Sequence, residues 1–140
     1  MSRCDLRIVV VDDNRDAAYT LGLLLERSGF SVVARISDAT AALDCLKNKR
    51  PDVAIVDIAM PQLDGYALAR QIRAEINPSP RLIALSGMCT AKDQHDAVQA
   101  GFDAHVAKPA DWPVLEALLL SYLSPQAADM PANVTAAATV

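Results

Sequence analysis

Aromatic residues are scarce in this chain of 140 residues, which has one Trp, three Tyr and two Phe. Its core therefore has to be built from Val, Leu, Ile and Ala, and a hydrophobic content of 52% supplies them. Basic residues, 13 Lys and Arg in all, are outnumbered by 17 Asp and Glu. A net charge of −4 leaves no basic surplus and argues against a general nucleic-acid or membrane-surface binder. No run reaches the roughly 18 consecutive apolar residues of a membrane span. The opening stretch, Met1 to Arg7, is polar and lacks the apolar block of a secretory signal. Cys4, Cys45 and Cys89 are an odd number at spacings that suit neither a disulfide framework nor a zinc site. Three reduced thiols in a cytoplasmic protein are the expectation. The length suits one domain and is short for two.

What the sequence does contain is alternation. Leu6 to Val11 predicts a first strand, and its uninterrupted β-branched run has no polar face, as in strands covered on both sides. Asn14 can cap a helix reaching about Ser28, with Ala17, Leu21, Leu24 and Leu25 as its apolar stripe and Gly29 as the stop. Ser31 to Arg35 predicts a weaker strand. Ala39, Ala42, Leu43 and Leu46 mark a second helix closed by Lys47, Lys49 and Arg50. Asp52 to Asp57 predicts strand three. Asp64 and Gly65 open a third helix with Leu68, Ala69, Ile72 and Ile76 on its inner face.

Asn77-Pro78-Ser79-Pro80 is a break before strand four, Arg81 to Ser86. A poorly apolar fourth helix, Ala91 to Ala100, precedes a short fifth strand, Ala104 to Ala107. Asp111 can cap a last helix whose stripe is Leu115, Leu118, Leu119 and Tyr122. The expected organisation is an N-terminal segment 1–6, one domain 7–123 and a disordered Ala/Pro/Thr-rich tail 124–140. Strands alternating with helices imply an α/β fold, with a parallel sheet covered by helices on both faces.

The strand endings carry the chemistry. Asp12 and Asp13 end strand one, Asp57 ends strand three, Ser86 ends strand four and Lys108 follows strand five. Ligands of open α/β sheets bind beyond the carboxyl ends of the strands, where the strand order reverses. In the order 2-1-3-4-5 that point lies between strands one and three, which makes Asp12, Asp13 and Asp57 neighbours. Three carboxylates in one crevice repel and call for a cation. A hard divalent ion such as Mg²⁺ suits oxygen donors. Lys108 adds a mobile positive charge and Ser86 a hydroxyl donor. Together they suit phosphoryl transfer, with a carboxylate as nucleophile. Each element alone is commonplace, since Asp pairs after strands are often helix caps or turn residues. Their joint placement at one end of one sheet is what points to a site.

The stretches VVVDDNRDAA (9–18), DVAIVDIAMPQLDGYALARQIR (52–73), LIALSG (82–87) and AGFDAHVAKPAD (100–111) resemble the receiver domain of two-component response regulators. The resemblance covers Arg7 to about Leu123. It implies a flavodoxin-like (βα)5 fold and a phosphoacceptor role for Asp57, supplied by a histidine kinase or histidine phosphotransfer protein. It further implies Mg²⁺ held by Asp13, Asp57 and the backbone carbonyl of Ala59, with Asp12 acting through a bound water. Lys108 would pair with the phosphoryl group, Ser86 would hydrogen-bond it and move as a switch, and the Lys108–Pro109 bond would be cis. The fourth helix, fifth strand and fifth helix would form the output surface for a downstream protein or a homodimer, with Trp112 as a candidate contact.

Three positions depart from the family pattern. His105 stands where the family usually has Tyr or Phe. It either swings inward as a smaller switch ring, with pH sensitivity, or lies on the surface with no such duty. Ala59 and Met88 cannot orient water, so strongly assisted hydrolysis of the phosphoryl group is not expected. Beyond catalysing its own modification the chain is expected to be no enzyme. Two alternatives remain: a binding module without phosphotransfer, and a small Mg²⁺-dependent aspartyl phosphatase. Ala59 occupies the place where such phosphatases generally need a second Asp.

Overall fold

A computed structural model of the chain describes residues 2–58, 65–87, 90–108 and 111–123. After a 3-10 turn at Arg3–Asp5, five strands alternate with five helices. They are β1 (Arg7–Val11), α1 (Arg15–Arg27), β2 (Ser31–Ile36), α2 (Ala39–Lys49), β3 (Val53–Asp57), α3 (Gly65–Glu75), β4 (Arg81–Ser86), α4 (Ala91–Ala100), β5 (Ala104–Ala107) and α5 (Trp112–Leu123). The sheet is wholly parallel, in the order β2-β1-β3-β4-β5. The expected tail at 124–140 lies outside the described residues.

The uniformly apolar strands follow from burial on both faces. Val9, Val11, Ala54, Val56, Leu82 and Ala84 pack in one layer with Leu46 of α2, Leu68 and Ile72 of α3, and Ala97 of α4. Their strand neighbours Ile8, Val10, Val53, Ile55, Ile83 and Leu85 pack in the other layer with Leu21 and Leu25 of α1 and with Leu115 and Leu119 of α5. Successive side chains of a strand point to opposite faces, so an all-apolar strand feeds two cores at once. Burying one Val or Leu side chain contributes about 1.5–3 kcal/mol, which makes these two layers the main source of stability.

Helix ends form where the sequence places polar caps. The Asn14 side chain accepts the N–H groups of Asp16 and Ala17, and Asp38 accepts that of Thr40. At α4, Thr90 and Asp93 close a reciprocal capping box. Gly101 ends α4 at φ 107, a left-handed value that favours glycine. The break after α3 includes a cis Asn77–Pro78 bond.

One stripe differs from the expectation. On α1 the buried residues are Ala18, Leu21, Gly22 and Leu25, while Ala17 is half-buried and Leu24 is 37% exposed. On that side Gly22 leaves room for Arg35 of β2. Its guanidinium crosses Gly22 so closely that a Cβ there would lie 2.1 Å from Nε. The helix presents its glycine to β2 and its Leu24 outward.

Candidate functional site

Register brings the acids together. β1 and β3 pair Val11 with Val56, so one further residue on each strand sets Asp12 beside Asp57. β3 pairs Asp57 with Leu85, and the Ile58 N–H continues to the Leu85 carbonyl at 3.1 Å. β4 pairs Ser86 with Ala107, and the Lys108 N–H reaches the Ser86 carbonyl at 2.7 Å. Backbone ladders therefore fix the spacing of Asp12, Asp57, Ser86 and Lys108.

Asp12 and Asp57 are each 3% exposed and Asp13 lies at the rim. One carboxylate oxygen from each of the three falls within 4.8 Å of the others. Lys108 Nζ donates to Asp57 Oδ2 at 2.9 Å and lies 3.5 Å from Asp12 Oδ2. Burial raises the Asp12 carboxyl above its ordinary range. The Asn14 N–H and Lys108 oppose that rise, and neighbouring Asp57 adds to it. Burial pulls the Lys108 ammonium down, but hydrogen bonding and attraction to Asp57 and Asp12 outweigh it and leave the group raised. Three formal negative charges thus face one positive charge. The surplus favours a further cation at the three oxygens.

Two supports of this pocket are backbone features. The Asn14 N–H donates to Asp12 Oδ1 at 3.0 Å, leaving Oδ2 turned to Lys108. Gly65 begins α3 against the end of β3, where a Cβ would lie 2.5 Å from Ile58 Cα and 3.0 Å from the Asp57 carbonyl oxygen. Only a residue without a side chain lets α3 start there. The sequence suggested Asn14 as a cap and Gly65 as a tight helix start, and both hold. The Asn14 contact to Asp12 gives no signal in the sequence beyond the Asp-Asp-Asn order.

Ser86 is buried at the end of β4 beside the strand that carries Asp57. His105 is 5% exposed, which corrects the surface position considered for it. It pairs with Ala84 and shares that residue's face of the sheet, toward α3 and α4, where Asp93 of α4 attracts its charged form. Burial outweighs that attraction and lowers its pKa. Ala59, Met88 and Pro109, with the cis bond expected at Lys108–Pro109, lie outside the described residues.

A five-stranded doubly wound sheet with three acids and a lysine at its reversal point defines a class of signalling modules that receive a phosphoryl group. The chain belongs to the response regulator receiver domain family, whose pattern it matches over residues 8–120. It is 36% identical over 104 residues to the response regulator MprA of Mycobacterium sp. (strain KMS), covering 74% of this chain and 44% of that protein. It is 35% identical over 116 residues to the transcriptional regulatory protein CseB of Streptomyces avermitilis, covering 83% of this chain and 48% of that protein. The chain therefore spans less than half the length of these curated relatives. Among solved structures, a two-component response regulator of the LuxR family from Aurantimonas sp. SI85-9A1 superposes with a TM-score of 0.73 at 28% identity. That match covers 88% of this chain and 92% of the other. The protein is thus a receiver domain of the two-component type. No helix among the described residues is long and apolar enough to cross a membrane.

Proposed function

We propose that Asp57 is the phosphoacceptor. One of its carboxylate oxygens attacks the phosphorus of a phosphohistidine on a histidine kinase or histidine phosphotransfer protein. The new O–P bond forms as the N–P bond breaks, and the electron pair leaves with the imidazole. The observation that carries this reading is the pocket itself, with Lys108 Nζ 2.9 Å from Asp57 Oδ2 and carboxylate oxygens of Asp12 and Asp13 close by.

The all-oxygen donor set and the negative surplus fit Mg²⁺, which Asp13, Asp57 and the Ala59 carbonyl would hold, with Asp12 acting through water. Bound there, the ion supplies charge neutralisation for the phosphoryl oxygens. Lys108 supplies the mobile share, exchanging its Asp57 contact for a phosphoryl oxygen. The Ser86 hydroxyl donates to another and draws the loop after β4 with it. That movement alters the surface formed by α4, β5 and α5, including Trp112, for a downstream protein or a second copy of the chain.

Beside the pocket an apolar groove of about 310 Å³, lined by Ala17, Thr20, Leu21, Leu24 and Leu85, runs up to Asp12 and Lys108. An apolar helix face carrying the donor histidine matches it in character and in nearness to Asp57. The chain acts in the cytoplasm and spans no membrane on this reading.

The test is Mg²⁺-dependent binding of beryllofluoride, a phosphoryl mimic, followed by Trp112 fluorescence and amide shifts. Saturable binding that needs Mg²⁺ and is lost in Asp57→Asn supports the reading. Binding that survives in Asp57→Asn, or no binding to the parent, refutes it.

A further inference from the structure

The opposite pole of the sheet, where the strands begin, carries a second cavity of about 370 Å³. Leu6, Pro51, Pro78 and Tyr122 supply its apolar walls, and Arg50 and Arg81 stand beside them. Its size falls in the range of small-molecule sites, and its lining mixes apolar and charged side chains.

The two guanidiniums are poorly matched by acids. Among the described residues Arg50 has no carboxylate within 4.0 Å. Arg81 Nη1 reaches Asp103 Oδ1 only at 4.0 Å, the outer limit of an ion pair, while Asp103 Oδ2 accepts from Arg73 and from the Leu82 N–H, each at 2.8 Å. Arg81 lies instead over the Tyr122 ring, 5.1 Å from its centroid. The one acid lining the cavity, Asp52, accepts the Arg7 N–H at 2.8 Å.

Arg50 is also the only described residue other than glycine with a left-handed backbone, at φ 46. Glycine or Asn usually fills such a helix-ending position. Here the backbone is pinned by its N–H to Leu46 and by its carbonyl, which accepts from Arg7 Nη1 at 2.9 Å. An arginine held in an unfavourable backbone conformation at the edge of a cavity points to a use for its side chain.

We propose that this cavity binds a small phosphomonoester carried on a flat apolar ring, the size class of a nucleoside monophosphate. Arg50 and Arg81, the latter already seated over Tyr122, take the phosphate, and the ring lies against Pro51 and Pro78. Guanidiniums suit phosphate because their fixed fork of N–H donors matches its oxygens. The inference does not depend on phosphorylation of Asp57, since no acid-pocket residue lines the cavity.

The experiment titrates the full chain, without Mg²⁺, with adenosine 5′-monophosphate, inorganic phosphate and adenosine while recording amide shifts. The expected result is saturable movement of the Arg50, Asp52, Arg81 and Tyr122 signals by the monophosphate, tighter than by either fragment. Arg50→Gln and Arg81→Gln should each weaken binding about tenfold, the loss expected for a charge-assisted hydrogen bond. Arg27→Gln, on α1, should leave it unchanged. Silence at this pole up to about 10 mM probe, which excludes even millimolar affinity, overturns the proposal. So do shifts confined to Ser86 and Lys108, undiminished binding by the double variant, or phosphate alone binding as tightly as the nucleotide.

Discussion

Replacing Gly65 by Ala sets two opposed effects against each other. Alanine is the better helix former, worth up to about 1 kcal/mol in a helix interior and less at a first turn. Against that, the added Cβ would lie 2.5 Å from Ile58 Cα and 3.0 Å from both Ile58 Cβ and the Asp57 carbonyl oxygen. Ordinary contacts begin near 3.4 Å. The nearest obstacle is backbone in the middle of the domain, so it cannot rotate aside as a side-chain tip could. Overpacking of this kind costs about 1–3 kcal/mol. The clash wins, and Gly65→Ala should lose about 1–2 kcal/mol net.

The damage should also be felt at the pocket, because Ile58 directly follows Asp57. Relief requires α3 to back away or the end of β3 to shift. An error of about 1 Å at a reacting group can cost about a hundredfold, so beryllofluoride binding should weaken at least about tenfold. Urea unfolding measures the first effect as a lower midpoint at unchanged slope, and a binding titration measures the second. Gly87→Ala is the control. A Cβ there meets nothing within 4 Å, and its effect should stay within about 1 kcal/mol. If Gly65→Ala matches the parent in midpoint and in binding, the close approach of α3 to Asp57 does not constrain the site and the reasoning is wrong.

Other perturbations separate charge from packing. Asp12→Asn should stabilise the metal-free chain on the order of 1 kcal/mol, since it removes one of the like charges in a buried site. The same variant should gain less melting temperature from Mg²⁺ than the parent, and equal gains would exclude Asp12 from the ion's surroundings. Arg73→Lys should destabilise by about 2 kcal/mol, because one guanidinium serves the Gly101 and Pro80 carbonyls, Ser79 and Asp103, a fork that an ammonium cannot copy. An unchanged urea midpoint would count against it. His105 is lowered from its usual 6.5 by burial, so the unfolded chain takes up its proton first. Stability should therefore fall as pH drops through about 6.5, and His105→Phe should flatten that fall in melts across this range. A parallel decline in both proteins would show that His105 is not its source.

The parts of the fold visible in the sequence were those whose signal is side-chain polarity. Arg81–Ser86 and Ala104–Ala107 fall where the pattern puts them, because short apolar runs between breakers suit strands covered on both faces, and Ala91–Ala100 does so because Thr90 with Asp93 opens that helix and Gly101 closes it. The strand-end acids were visible for the same reason, since a charge directly after a buried run must sit at the sheet's rim. What escaped was governed by backbone approach. Leu24 reads as core because periodicity counts apolar side chains, whereas Gly22 gives no such signal and yet is the residue that faces Arg35. The outward turn of Leu24 then has a consequence, because it lines the groove leading to Lys108. His105 was ambiguous because polarity alone favours the surface, while the α4 side of a four-residue strand leaves it no exposed position.

The same distinction bears on how the pocket is held. Residue types at 12, 13, 57 and 108 say which charges are present, but the distances among them come from elsewhere. They are set by the β1–β3 register, by the Asn14 N–H on Asp12 and by the missing side chain of Gly65. A chain could keep all four charged residues and still lose the geometry through a single methyl group at Gly65. Conversely, Asp57→Asn removes the proposed nucleophile while leaving every one of those backbone supports in place. Comparing the two variants therefore separates the chemistry of the site from its construction. Gly65→Ala should lower both stability and binding, whereas Asp57→Asn should abolish binding at undiminished stability in the absence of metal.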